Sequence, residues 1–111
     1  MATIKSFTDL SQSKVLAEFL PIESADCYWE DDISIEFGHG WHPQHIPCWS
    51  LSALLDIIPE GVTEKYYAPN IQKENGIYTI AYGNDNLLCI ADNPVDACYE
   101  MILKLYELKL L

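Results

Sequence analysis

The chain has 111 residues and a formal net charge of -11, with half of its residues apolar and about a fifth charged. That balance is too hydrophobic for disorder and fits one domain burying about two-thirds of the surface its unfolded form exposes. Arginine is absent, and six scattered lysines face seventeen acids, which disfavours direct nucleic-acid binding, anionic membranes and nucleotide substrates, all of which need clustered cations to meet phosphate.

The first helix is expected from about Thr8 to Leu20, with Thr8 as its cap, Asp9 in the first turn and Pro21 just past its end. Leu10, Leu16, Ala17, Phe19 and Leu20 form its apolar stripe. From Ile22 to Pro47 acidic clusters alternate with aromatics, and Gly38, Gly40 and Pro43 break any period. Within that stretch Ile33, Ile35 and Phe37 alternate with Ser34 and Glu36, the pattern of a half-buried strand.

A short helix is expected from Ser50 to Ile58, capped by Ser50 and stopped by Pro59, with Leu51, Leu54, Leu55 and Ile58 on one face. Thr63 to Glu74, Ile77 to Tyr82 and Asn86 to Ala91 then read as three strands. Asn75-Gly76 is the strongest hairpin signal, because both central residues of a type I′ turn need positive φ. Tyr66, Tyr67, Tyr78 and Tyr82 fit ordinary sheet packing.

The last helix starts with Asn93 as cap and Pro94 in the first position, and runs to about Glu107. Asp96, Glu100, Lys104 and Glu107 fall on a stripe of about 80° at 3.6 residues per turn, and the rest of the helix is apolar. So wide an apolar face is either wedged between two layers or shared with a partner, which makes a homodimer one expectation. The architecture expected is α+β, a single domain over residues 1–111: a small antiparallel meander of three or four strands with N-terminal, central and C-terminal helices packed on one face.

Between Lys14 and Lys65 there is no lysine, yet the stretch carries Glu18, Glu23, Asp26, Glu30, Asp31, Asp32, Glu36, Asp56, Glu60 and Glu64. Nearly all of the net charge is therefore regional. Tyr28, Trp29, Trp41 and Trp49 lie in the same stretch, where aromatic bodies beside carboxylates suit a basic partner through cation–π and charge pairing. The candidate partner-binding set is Glu23, Asp26, Tyr28, Trp29, Glu30, Asp31, Asp32, Glu36 and Trp41. The bland alternative is a solvated acidic loop with core aromatics.

His39, His42, His45 and Cys48 recur at every third position, with Cys27 upstream. Histidine and thiolate are zinc's natural ligands, so these five residues form a candidate metal set, although the spacing matches no finger pattern. The plainer reading makes the histidines loop residues and the cysteines small core hydrophobes. Cys48 with His45 or His42 is the only local nucleophile and base pair. The four cysteines, Cys27, Cys48, Cys89 and Cys98, lack the spacing of a disulfide framework and are expected to be free thiols or ligands. No calcium-loop pattern accompanies Glu30, Asp31, Asp32 and Glu36.

No apolar run approaches the roughly 20 residues of a membrane span, and Met1 to Phe7 lacks a secretory pattern, so a cytoplasmic setting is expected. At Ile46-Pro47-Cys48-Trp49-Ser50-Leu51-Ser52-Ala53-Leu54-Leu55, and again from Ala91-Asp92-Asn93-Pro94-Val95-Asp96 to Ile102, the chain resembles small proteins of unknown function encoded by phages and other mobile elements of gut bacteria. The resemblance spans most of the chain and implies a bacterial cytoplasmic, mobile-element context without any activity or catalytic residue. Two functions are thus expected in order: a non-enzymatic accessory protein whose acidic segment binds a basic protein surface, with nucleic-acid mimicry as a special case, then a structural or hydrolytic zinc domain. The first needs no cofactor.

Overall fold

The computed structural model describes residues 5–31, 34–38, 45–60, 69–82 and 87–111. In chain order they form α1 (Leu10–Ala17), a single 3-10 turn (Ile22–Ser24), β1 (Cys27–Trp29), β2 (Ile35–Phe37), β3 (Ile46–Cys48), α2 (Leu51–Ile57), β4 (Pro69–Glu74), β5 (Ile77–Tyr82), β6 (Leu87–Ala91) and α3 (Pro94–Glu107). The class is α+β, with two three-stranded antiparallel sheets, ordered β2-β1-β3 and β4-β5-β6. The expected meander is the second sheet; the first is assembled from the segment whose sequence period is broken.

Helix α1 is capped by Asp9, not Thr8. The Asp9 carboxylate accepts from Gln12 N at 2.8 Å while the Gln12 side chain accepts from Asp9 N at 3.1 Å, a reciprocal capping box. Thr8 is fully buried one residue upstream, where its hydroxyl meets Ser13 Oγ at 2.8 Å and accepts from Trp49 N at 3.1 Å. The helix also ends at Ala17 rather than Leu20, with Glu18 to Leu20 in a turn and Ala17 facing solvent. The shorter helix turns Leu16 and Ser13 inward, so the expected apolar stripe contains a buried serine in place of Ala17.

The meander follows its sequence closely. Asn75 and Gly76 carry φ of 52° and 75°, as the hairpin requires, and they set the register Glu74↔Ile77 through Pro69↔Tyr82. Tyr78, Ile80 and Tyr82 of β5 share a face with Cys89 and Leu87 of β6, and most of these side chains are buried. β4 begins at Pro69 and β6 at Leu87; the earlier parts of those expected strands, Thr63 to Ala68 and Asn86, lie outside the described residues, as does Ile33.

Helix α3 matches its prediction at both ends. The Asn93 side chain accepts from Asp96 N at 2.8 Å, and Pro94 occupies the first turn. Much of its wide apolar face is buried within the chain, where Val95, Ala97, Cys98, Met101, Ile102 and Leu105 are covered and the helix packs against β5, β6 and α2, while Tyr106 stays 51% exposed. α1 instead lies against β3 of the first sheet. The core joins both parts, with Leu16, Trp49 and Leu54 packed in one cluster with Ile80, Tyr82 and Met101. A polar clasp closes the N-terminal segment onto α3, as Asp96 accepts from Lys5 Nζ at 2.7 Å and from Gln12 Nε2 at 2.8 Å.

The C-terminus of α3 closes in a left-handed turn. Leu110 N donates to Leu105 O and Lys109 N to Tyr106 O, the paired bonds of a Schellman motif, with Lys109 at φ 59° in the position that usually holds glycine. Lys109→Gly is expected to raise stability by about 0.5–1 kcal/mol, because a Cβ at positive φ costs more than the extra backbone entropy of glycine; urea denaturation at constant m-value reads it. Thr8→Val is expected to lower stability by about 2 kcal/mol, since it strands the buried Trp49 amide and removes one of the Ser13 hydroxyl's bonds; the same titration measures it.

Candidate functional site

The site begins at Asp26, the residue that joins the first sheet to α2. Its carboxylate accepts from Ser50 N at 3.0 Å, from the Ser50 hydroxyl in a very short bond, and from the Cys27 thiol at 3.5 Å. Ser50 is itself the N-cap of α2, accepting from Ala53 N at 3.2 Å. Partial burial works to raise the Asp26 pKa, but the Ser50 hydroxyl and amide outweigh it and hold the carboxyl below the usual carboxylate value.

Around Asp26 lies an open cleft of about 730 Å³, whose lining includes Glu23, Gly38 and, from α2, Ala53, Leu55 and Asp56. The Glu23 and Asp56 carboxylates have no hydrogen-bond partner among the described residues. Every described acid of the lysine-free stretch, Glu18, Glu23, Asp26, Glu30, Asp31, Glu36, Asp56 and Glu60, is solvent-exposed. The described part of the region is therefore a charged surface.

The predicted partner-binding set divides. Glu23 and Asp26 line the cleft, joined there by Asp56, which the sequence reading had counted among the acids without assigning to the site. Glu30 and Asp31 lie beyond the end of β1, where Asp31 accepts from Ser34 N at 2.8 Å and fixes the turn. Tyr28 and Glu36 sit opposite each other on one face of the first sheet. Trp29 points to the other face and donates its indole N–H to Ser13 Oγ at 3.2 Å, so it serves the packing of α1. Asp32 and Trp41 lie outside the described residues. Phe37, expected in a half-buried strand, is 75% exposed and touches Phe7 at a ring distance of 5.7 Å.

The metal set also divides. Cys27 and Cys48 face each other in register across β1 and β3, both buried as free thiols. His45 lies three residues from Cys48, on the opposite face of its strand by the two-residue alternation, where its ring stacks on Tyr28 at 4.6 Å. His39 and His42 lie outside the described residues. Among the described residues no three of His, Cys, Asp and Glu converge on one point.

The two thiols titrate against each other. Cys27 is raised, chiefly by the adjacent Cys48 sulfur, then by burial and by the Asp26 charge; Cys48 is lowered chiefly by Cys27, against its burial, and also by the Thr8 hydroxyl, which donates to it at 3.7 Å. Cys98 is pushed up to about 11 by burial alone. Burial also pushes Cys89 up, the Lys104 charge working against it.

No protein-family model, curated protein or solved structure matches the chain. Among the described residues no helix is long and apolar enough to cross a membrane.

The depressed carboxyls give a pH signature. Because Asp26 and Asp96 have folded pKa values below their unfolded values, their stabilisation is complete above about pH 4 and is lost as pH falls through the folded values. Stability by urea titration is therefore expected to be flat from pH 7 to 5 and to fall below about pH 4. Asp26→Asn should flatten part of that fall; an unchanged pH slope would show that Asp26 carries none of it.

Proposed function

We propose that the chain is a non-enzymatic accessory protein, of the kind bacterial mobile elements encode, whose acidic segment from about Glu23 to Glu60 binds a basic surface on another protein. The observation that carries this reading is the exposure of all eight described acids of the lysine-free stretch, with Glu23, Asp26 and Asp56 converging on one open cleft. Charges arranged in this way raise the local potential and the on-rate for a cationic partner, with a steep dependence on ionic strength. Partners that are themselves DNA-binding proteins belong to the same class, since spaced carboxylates can occupy a phosphate-binding surface.

Glu23 and Asp56 serve as test positions, because neither carboxylate holds a hydrogen bond among the described residues. The double substitution Glu23→Lys with Asp56→Lys is expected to leave folding stability within about 0.5 kcal/mol. It should also weaken capture of basic proteins from bacterial lysate at least tenfold at low salt. Raising the salt to about 0.5 M, where the Debye length is near 4 Å, should release the same proteins from the wild-type chain. Recovery of no basic protein, or binding indifferent to salt, would sink the reading.

A further inference from the structure

Helix α2 is a ridge between two concavities of different character. On one side lies the acidic cleft; on the other an apolar pocket of about 350 Å³ is enclosed by α2, α3 and the β4–β5 hairpin. Its floor is Ile80, Ala97 and Cys98, all buried, and its rim is Leu55 and Ile71, exposed by 40% and 47%. Leu55 lines both concavities. β4 stands at the edge of its sheet, hydrogen-bonded to β5 on one side, which leaves its other edge available to an extended chain among the described residues.

The chemistry of the two concavities selects the occupant. Sites for polar small molecules carry several convergent polar groups, whereas the residues lining this pocket are all apolar apart from the Tyr78 hydroxyl and the Cys98 thiol. The volume suits one large aliphatic or aromatic side chain. Across the Leu55 ridge, Glu23 and Asp56 present carboxylates that have no partner among the described residues, in a region with no lysine from Val15 to Glu60. A segment anchored in the pocket and continuing over the ridge therefore meets negative charge that its own cations complement.

We infer that the α2 ridge is a two-part docking site for an extended basic segment of a partner protein: a large apolar side chain seats in the pocket, and a lysine or arginine reaches the Glu23/Asp56 cleft. A helix with its side chains is about 10 Å across, and an extended chain advances about 3.3 Å per residue, so anchor and cation stand about three residues apart. This rests on the basic-partner reading above and specifies the partner's sequence chemistry.

The test uses the full chain and a fluorescein-labelled nine-residue threonine peptide with a central phenylalanine and a lysine three positions to each side. Two controls replace the phenylalanine, or both lysines, by serine. Fluorescence anisotropy at low salt is expected to show the parent peptide binding at least tenfold more tightly than either control. Leu55→Ser should reduce that affinity at least fivefold, and Ile71→Ser, on the opposite rim, provides an independent variant whose fold is checked by circular dichroism. Equal affinity with and without phenylalanine overturns the pocket's role while leaving the basic-partner reading intact. Equal affinity with and without lysine overturns the pairing of pocket and cleft. Binding of decanoate with no binding of any peptide overturns the inference in favour of a small apolar ligand, and the lysate capture then decides the basic-partner reading separately.

Discussion

The fold depends on a buried polar junction between Thr8 and Trp49. Thr8 N donates to Trp49 O at 2.9 Å, Trp49 N donates to the Thr8 hydroxyl, and Leu51 N donates to Ser6 O at 3.1 Å, so the N-terminal segment is stitched along the turn between β3 and α2. Trp49 is fully buried, and its indole N–H donates to Ser24 Oγ at 3.0 Å, which ties the 3-10 turn to the same point. Three pieces of chain meet there. In a dry interior such a network is stabilising only if each member is satisfied, and no described buried side-chain nitrogen or oxygen lacks a partner.

Carboxylates play two separate roles in this molecule. Asp26 and Asp96 are held by several donors each and fasten elements together, Asp26 the first sheet to α2 and Asp96 the N-terminal segment to α3. Lys5 is spent on the second of these, and Lys73 sits over the Tyr78 ring at 5.3 Å. Among the described acids of the lysine-free stretch, Glu23 and Asp56 present carboxylates without a hydrogen-bond partner among the described residues, while Asp31 caps the turn at Ser34. A chain without arginine, with six lysines against seventeen acids, keeps its negative surface largely uncompensated, and such a surplus raises the on-rate of a cationic partner.

How much was legible varies along the chain for a physical reason. The hairpin at Asn75-Gly76, the start and end of α3, and the Ser50 cap are local events, fixed by φ requirements and by side chains a few residues from their targets. Each appears where the sequence put it. The first sheet was not legible, apart from its edge strand β2, because its strands are three residues long and too short to show a period. Thr8 was misjudged as a cap because threonine and aspartate stand side by side, and the choice between them was made by Trp49, forty-one residues away.

For the candidate site, the sequence by itself determined the charge, its confinement to the lysine-free stretch and the absence of arginine, because composition is indifferent to folding. It could not determine which acids meet. Asp56 joins Glu23 and Asp26 because α2 is capped by Ser50 and Ser50 is held by Asp26, a long-range bond between residues 24 apart. Nor could spacing show that Cys27 faces Cys48 while His45 turns to the other side, since that follows from strand register. Register and helix placement are set by which apolar side chains fill one common core, and only the tertiary structure decides that.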